Sequence, residues 1–419
     1  MTTTLTASAD VVDTPAHRDG NVWRWLAAYT ASMMGDSVYY IALSWAAVQA
    51  GTPAQAGVVM SVSALPRAVL MLGGGVIADR FGPRRVVIAS DAVRCAAVLA
   101  VAGLLFLTGP GLWPLAVLAL VFGVVDAVFM PAVGALPARV TTRGQLARVQ
   151  GMRGLGIRFA SVVGGPLGGL AVAVGGASAA FAFAGLLIAV SVPLLVSVRI
   201  REVPAAGRDE ETAARRGTAW RDLVDGLGYI RRHPVLGPLM VAIALGDLGF
   251  VGPLNVGLAL LAEERGWGAS GMGWVLAGFG VGAGAASLAL AVRGRVPHAG
   301  QVMAYACLSG AIAIGALAFV PSVVAAVGVA LLVGLLAGLS GAMCGALLQT
   351  QADPAFLGRV TAVSSLVSLG FAPLGMPLSA AAIGAWGTAP VFVVSAAVCG
   401  LGGVIALCVR GLRGAELPG

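Results

Sequence analysis

Long apolar stretches recur from one end of the chain to the other, and the charged residues fall between them. Most stretches run for about 20 residues or more, the length that a helix needs to cross the hydrocarbon core of a bilayer. The strands of a membrane barrel would alternate in polarity over about ten residues, and these stretches do not. Since a spanning helix bonds its backbone polar groups internally, we predict twelve helical spans, over residues 23–50, 54–78, 86–107, 113–136, 154–174, 177–198, 236–261, 270–292, 301–320, 322–348, 360–385 and 389–409.

The composition supports a membrane protein and excludes a string of soluble domains. The 419 residues are 58% hydrophobic and only 11% charged, whereas soluble domains carry about 25% charged residues. Residues 1–21 are polar and include acids but lack the basic start of a signal peptide. We therefore expect the first apolar segment to act as an uncleaved insertion signal.

The arginines predict the orientation of the chain in the membrane. All 26 basic residues are arginine, and 22 of them fall in the two tails and the even-numbered connections. The odd-numbered connections hold one arginine, Arg265. By the positive-inside rule, both termini are predicted to be cytoplasmic, in the inner membrane of the cell.

A charged stretch separates the two halves of the chain. It predicts a cytoplasmic tail over 1–21, a six-helix bundle over 22–198, a linker over 199–233, a second bundle over 234–410 and a tail over 411–419. Within the linker, residues 220–230 are expected to form an amphipathic helix on the membrane surface.

The two halves repeat each other at an offset of 211 residues. Gly35-Asp36 aligns with Gly246-Asp247, and Gly164, Pro166 and Leu167 align with Gly375, Pro377 and Leu378. Such a repeat predicts two bundles in the same orientation, related by an axis along the membrane normal. Transporters of this kind bind their substrate near the midplane between the bundles.

The connection between the second and third spans carries a recognisable motif. It reads Gly75-Val76-Ile77-Ala78-Asp79-Arg80-Phe81-Gly82-Pro83-Arg84-Arg85. It resembles the G-x-x-x-D-R-x-G-R-[KR] motif of the major facilitator superfamily, with a proline in place of the first basic residue. The resemblance implies a clasp that steadies the outward-facing state, formed by Gly75, Asp79, Arg80, Gly82, Arg84 and Arg85. The alternative is a basic loop that serves topology alone.

The fifth span contains a glycine-rich sequence, Gly164-Gly165-Pro166-Leu167-Gly168-Gly169. It is similar to the G-P-x-x-G-G motif of the superfamily's antiporters but is one spacer residue short. The alternative reading is a kink that serves helix packing. Further pairs resemble the subgroup of macrolide-efflux and siderophore-export proteins: Gly35-Asp36, Asp91-x-x-Arg94, Pro131-Ala132, Leu136-Pro137 and Gly358-Arg359-Val360.

Apart from Arg24 at the edge of the first span, seven aspartate and arginine residues fall within the predicted spans, where a charge costs several kcal/mol and indicates function. A carboxyl group removed from water holds a proton more readily than one in water. We therefore predict proton exchange at Asp36, Asp126 or Asp247. The alternative is static pairing, which we favour for Asp91, Arg94 and Arg158; Arg67 is a further candidate charge partner.

A mostly apolar cavity with a few polar anchors is expected between the bundles. Its candidate lining residues are Tyr39, Tyr40, Phe129, Met130, Phe250 and Asn255. Such a cavity suits lipophilic drugs, antibiotics or hydrophobic peptides better than sugars. The three histidines are isolated outside the spans, and no nucleotide-binding or metalloprotease motif is present. The sequence therefore predicts no enzyme activity, no metal and no cofactor.

The resemblance predicts an exporter driven by the proton gradient, working as a monomer. A siderophore exporter and a nutrient importer on the same fold are the alternatives, and a membrane-embedded enzyme or receptor is disfavoured by the repeat.

Overall fold

The computed structural model describes residues 18–109, 111–142, 145–200, 219–293, 296–353 and 356–416. Most of the predicted N-terminal tail, residues 201–218 of the predicted linker and residues 417–419 of the C-terminal tail lie outside this part. The domain boundaries therefore stay a prediction.

The described chain is helical throughout. Its elements in order are α1 Gly20–Ala50, α2 Pro53–Phe81, α3 Pro83–Thr108, α4 Leu112–Ala135, α5 Pro137–Val140, α6 Leu146–Ser197, α7 Ala219–Arg232, α8 Leu236–Gly252, α9 Leu258–Glu264, α10 Gly268–Arg293, α11 Ala299–Leu317, α12 Val323–Gln351, α13 Leu357–Trp386, α14 Thr388–Cys408 and α15 Arg410–Arg413, with a π-helical turn at Pro253–Gly257 between α8 and α9.

Each predicted span lies on one of these helices. In the described residues, eight helices are long and apolar enough to cross a membrane, and α1, α2 and α13 cover three further predicted spans. The longest, α6, contains the fifth and sixth spans, because Gly176 at φ 71° reverses the chain there. The predicted surface helix over 220–230 lies within α7.

Helix pairs related by the repeat pack in the same way. In the first half, Gly123 of α4 lies against the carbonyl oxygen of Ser63 on α2, where an added Cβ would come within 2.3 Å. In the second half, Gly334 of α12 lies equally close to Phe279 of α10, at 2.0 Å. Close backbone approach at small residues is typical of packed membrane helices. The fold is therefore two six-helix bundles of the same construction.

Among the described residues, the apolar contacts that join the two bundles lie on one side of the membrane. One apolar cluster joins both halves, and it includes Val38 and Met60 of the first with Met272 and Met376 of the second. These residues belong to the end of each span remote from the chain termini, which we call the far side. On the opposite, arginine-rich side the apolar clusters of the two halves are separate. From these described residues we infer that the space between the bundles opens toward the arginine-rich side.

The glycines of the fifth span form much of this far-side contact. Gly164 and Gly168 face α1 of the same bundle, with Ser37 at 2.5 Å and Val38 at 3.2 Å from an added Cβ. Gly165 faces the other bundle, and an added Cβ would lie 2.8 Å from the carbonyl oxygen of Gly273. The spacing of four residues on each face explains why the run contains glycine pairs rather than single glycines.

Gly169 continues the face toward α10, where a Cβ would lie 2.4 Å from the carbonyl oxygen of Ala269. Pro166 lies between the two glycine pairs, inside α6. The glycine-rich sequence thus serves the packing of α6 between α1 and α10. Its role in antiport stays a prediction.

We predict that Gly169→Leu opens the far side. The side chain has no room beside α10, and overpacking costs about 1–3 kcal/mol, enough to shift the population of the far-side-closed state about tenfold. Spin labels at Thr108 and Phe319, in a chain with its five cysteines replaced by alanine, report the separation of the bundles. The distances should lengthen.

The matched control is Gly103→Leu, since nothing lies within 4 Å of a Cβ built on Gly103. It should leave the distance distribution unchanged. An identical distribution in Gly169→Leu would contradict the assigned role.

Candidate functional site

Five charged side chains from four helices meet inside the first bundle. Arg94 and Asp91 come from α3, Asp36 from α1, Asp126 from α4 and Arg67 from α2. We call these five residues the charge cluster. All five were predicted from their position inside a span, but the sequence did not show that they meet.

Close helix crossings bring these residues together. Gly123 lets α4 touch α2 at Ser63, and one turn further along each helix lie Asp126 and Arg67. Gly35 in turn lets α1 approach α6, since a Cβ there would lie 2.6 Å from the side chain of Ile188. Residues three or four apart share a helix face, so the contact of Gly123 with Ser63 positions Asp126 and Arg67. Asp36 directly follows Gly35, so the close approach of α1 to α6 sets its depth in the bundle.

Arg94 is the centre of the cluster. Its Nη1 donates to both carboxylate oxygens of Asp36 at 2.9 Å and to Asp126 Oδ1 at 3.3 Å. Its Nη2 donates to Asp91 and, at 3.1 Å, to the hydroxyl of Ser32. The Arg94 side chain is fully buried. The fork of the guanidinium suits this task, because a single ammonium cannot face three carboxylates in fixed directions.

Asp91 differs from the other two acids. Its side chain is also fully buried, and it accepts hydrogen bonds from the hydroxyls of Ser32 and Ser191 in addition to Arg94. Asp36 and Asp126 instead keep 21% and 15% of their side chains exposed. Asp91 is thus a structural partner, while Asp36 and Asp126 are reachable from the space between the bundles.

Arg67 is held loosely. Its Nη1 lies 3.9 Å from Asp126 Oδ2, and its Nε is buried without a hydrogen-bond partner. A small movement of α2 against α4 would separate this pair at little cost.

The space between the bundles has two lobes that share Arg158 and Phe279 in their walls. The lobe on the side of the first bundle, the N-lobe, has a volume of about 400 Å³. It is lined by Asp36, Asp126 and Arg67 together with the predicted residues Tyr39, Tyr40, Met130 and Asn255. The charge cluster therefore borders the cavity.

Asn255 lies in the π-helical turn of the seventh span. Its Nδ2 donates to the carbonyl oxygen of Val251 at 2.7 Å, which compensates a backbone group that the irregular turn leaves free. Such turns are frequent at functional sites. Tyr39 stacks on Phe122 with ring centroids 3.7 Å apart.

The lobe on the side of the second bundle, the C-lobe, is larger, with a volume of about 630 Å³. The predicted residues Asp247 and Phe250 line it, with serines and cysteines that the sequence did not single out: Ser287, Ser340, Ser364, Ser368, Cys307, Cys344 and Cys399. The C-lobe is therefore weakly polar, with one carboxyl group.

The prediction that Phe129 lines the cavity is wrong. Its side chain is 1% exposed, and its ring lies under the Arg94 guanidinium, 3.9 Å from the ring centroid to the guanidinium carbon. Phe129 follows Asp126 by three residues, so it shares the inward face of α4. Instead of meeting substrate, the ring stabilises the buried cation by a cation–π contact.

Arg158 does not join the charge cluster. It donates to the hydroxyl of Ser287 at 3.4 Å, and so bridges α6 and α10 across the two bundles. Of the three arginines predicted as charge partners, Arg94 and Arg67 contact the aspartates, and Arg158 contacts Ser287 instead. The serines that complete the cluster were missed, although Ser32 lies one turn before Asp36 on the same helix.

The predicted clasp residues lie where α2 meets α3. Gly82 has φ 84°, a conformation that glycine adopts most easily. Arg84 donates to the carbonyl oxygens of Leu195 and Val196 at the end of α6, and Arg80 lies over the ring of Phe81.

Arg85 is exposed, and Gly75 and Asp79 lie in α2 with the Asp79 side chain outside the described part. Within the described residues, Arg84 and Arg80 thus contact only the first bundle. A role in the outward-facing state stays a prediction.

Comparison of the sequence with known families agrees with an architecture of twelve helices in two bundles. The profile of the Major Facilitator Superfamily matches residues 25–368, most of the chain. The chain belongs to this superfamily. As a major facilitator it is a multi-pass membrane transport protein and not an enzyme.

Relatives of known name are similar over nearly the whole length. The multidrug efflux pump Tap of Mycolicibacterium fortuitum is 26% identical over 405 residues, which cover 93% of this chain and 96% of the pump. The enterobactin exporter EntS of Shigella boydii is 24% identical over 362 residues, 85% of this chain and 83% of the exporter.

Solved structures show the same fold at low identity. A POT peptide transporter in complex with sulfate gives a TM-score of 0.73 at 14% identity, covering 97% of this chain and 98% of its own. The nucleoside transporter NupG gives 0.68 at 13% identity, covering 95% and 100%. Both are major facilitator folds with different cargoes, so the fold does not determine the cargo.

We predict that Arg94→Met strongly destabilises this major facilitator protein. The substitution leaves three carboxyl groups without their shared cation, and removing one partner of a buried ion pair costs about 3–5 kcal/mol. Thermal unfolding of the purified protein in detergent measures the loss. The double variant Arg94→Met/Asp91→Asn should recover part of it, because the fully buried acid is then neutral.

The control is Arg85→Met, which changes an exposed arginine and should leave the unfolding temperature nearly unchanged. Equal unfolding temperatures for Arg85→Met and Arg94→Met would show that the cluster contributes little to stability.

Proposed function

We propose that this major facilitator protein is a secondary active efflux transporter that exchanges protons for a lipophilic drug, antibiotic or hydrophobic peptide. The similarity to Tap and EntS over most of the chain supports efflux. The arginine count supports placing the arginine-rich side in the cytoplasm. The cavity then opens to the cytoplasm, the side from which an exporter takes up its cargo.

The observation that carries proton coupling is the balance of charge around Arg94. Three carboxyl groups face two guanidinium groups, so the cluster has a formal charge of −1 when every acid is ionised. An uncompensated charge within the membrane costs about 2.5–3.5 kcal/mol or more. One bound proton removes that charge.

The proton binds on an acid that the cavity reaches. The Asp91 side chain is fully buried and not reached from the cavity, whereas Asp36 and Asp126 line the N-lobe. Asp126 has two arginine neighbours, and the longer contact is the 3.9 Å one to Arg67. When the bundles rock, separation of Arg67 from Asp126 favours proton uptake, and its return favours release. No cofactor takes part, and the protein acts as a monomer.

Transport then follows alternating access. In the present state the far side is closed by the glycine contacts of α6 with α10. A proton that enters from the far side in the opposite state neutralises the cluster, and the carrier returns to take up cargo. Export of a siderophore is the second candidate, and the similarity to EntS favours it.

We predict that Asp126→Asn and Asp36→Asn abolish pH-driven transport. Each removes an acid that reaches the cavity, so the cluster no longer gains and loses a proton. The measurement uses the purified protein in proteoliposomes, with an imposed pH gradient and uptake of the fluorescent dye ethidium. Downhill exchange of ethidium without a gradient should continue in both variants.

Asp225→Asn, which changes an exposed acid of α7, is the control and should transport like the wild type. Retention of pH-driven uptake by both cavity variants would rule out these acids as the coupling site. Drug susceptibility of an efflux-deficient host that expresses the protein would identify the cargo class.

A further inference from the structure

The two aspartates that the repeat places at matching positions have different surroundings. Asp36 of α1 is bonded through both oxygens to Arg94. Asp247 of α8 is its counterpart at an offset of 211 residues. Among the residues that the structure describes, no arginine lies within 4 Å of the Asp247 carboxyl group. The second bundle thus lacks the cation that the first one supplies.

The Asp247 carboxyl group is also short of hydrogen bonds. Ser368 interacts with the Asp247 carboxyl group, but Oδ2 of Asp247 is buried without a hydrogen-bond partner. A buried oxygen without a donor costs free energy, and a charged one costs more. Asp247 as a whole is partly exposed and lines the C-lobe, so a cation in that lobe can approach the carboxylate even though Oδ2 itself is covered.

Two aromatic rings line the same lobe as this carboxyl group. Phe250, one turn further along α8, and Phe279 of α10 both line the C-lobe. Their ring centroids are 5.7 Å apart at an interplanar angle of 50°. The faces of aromatic rings attract cations. A carboxylate that shares a weakly polar lobe with two aromatic rings is therefore chemically suited to an organic cation.

Arg158 is the one arginine that lines the C-lobe in the described part of the chain, and it belongs to the other bundle. Its guanidinium donates to the Ser287 hydroxyl and forms no ion pair with Asp247. It therefore leaves the carboxyl group available to a ligand.

We propose that Asp247 anchors a lipophilic organic cation in the C-lobe, while the charge cluster of the first bundle handles the proton. This assignment rests on the proposed efflux function and names its substrate class. It also gives different roles to the two acids that the repeat relates. Asp36 stays bonded to Arg94, and Asp247 binds the cargo.

The test is equilibrium binding to the purified protein in nanodiscs, with no gradient across the membrane. Ethidium, a permanent cation, and Nile red, an uncharged lipophilic dye, serve as probes and are followed by fluorescence anisotropy. Asp247→Asn should weaken ethidium binding about tenfold or more, the value of a lost charge-assisted hydrogen bond. Nile red binding should stay within about twofold of wild type, since it needs no charge.

Two further variants make the result specific. Asp247→Glu keeps the negative charge and should recover much of the ethidium affinity. Asp225→Asn removes an exposed acid of α7 and should change neither affinity. Preserved Nile red binding shows that each variant is folded.

Three results would overturn the proposal: no ethidium binding by the wild type, unchanged ethidium binding in Asp247→Asn, or an equal loss for both dyes. None of them depends on a proton gradient. If instead Asp247→Asn loses only ethidium while the wild type shows no pH-driven transport, the anchor stands and the antiport function fails.

Discussion

A single buried cation organises the first bundle. Arg94 is enclosed at membrane depth, and only the hydrogen bonds to three aspartates and one serine, with the ring of Phe129 beneath it, offset the cost of removing it from water. These partners come from α1, α3 and α4, so the guanidinium fixes the positions of three helices at once. Removal of Arg94 would leave the aspartates without their shared cation in a medium that tolerates little uncompensated charge.

Small residues make that arrangement possible. Gly35 and Gly123 remove side chains where α1 meets α6 and where α4 meets α2, and the charged residues lie within one turn of these contacts. Glycines also allow close helix contact between the bundles, where Gly165 and Gly169 of α6 lie against α10. Tight contacts of this kind are either made or broken, since a packed interface does not deform gradually. The far side is thus well suited to two discrete states.

The two bundles share a construction but differ in chemistry. In the first bundle the acids are bound to arginine and border a narrow lobe. In the second, no arginine of the described residues pairs with Asp247, which borders the larger lobe among phenylalanine, serine and cysteine side chains. Duplication supplies equivalent positions near the midplane, and loss of the counter-charge at one of them creates a difference between the sites. Coupling a proton to a cargo needs such a difference, because two identical sites would compete for the same ligand.

The sequence by itself determined the helices, their number and the family. Apolar length, arginine placement and the 211-residue repeat are local or additive signals, and each predicted span lies on a helix. The kind of residue at the site was also readable, since acids within apolar spans are rare. Which of these residues meet was decided by the tertiary structure alone. Arg94 and Arg158 look alike in sequence, yet helix crossings carry one into the aspartates and the other to Ser287. Phe129 lies on the inward face of its helix, and only the position of α3 determines that it covers a cation rather than lining the cavity.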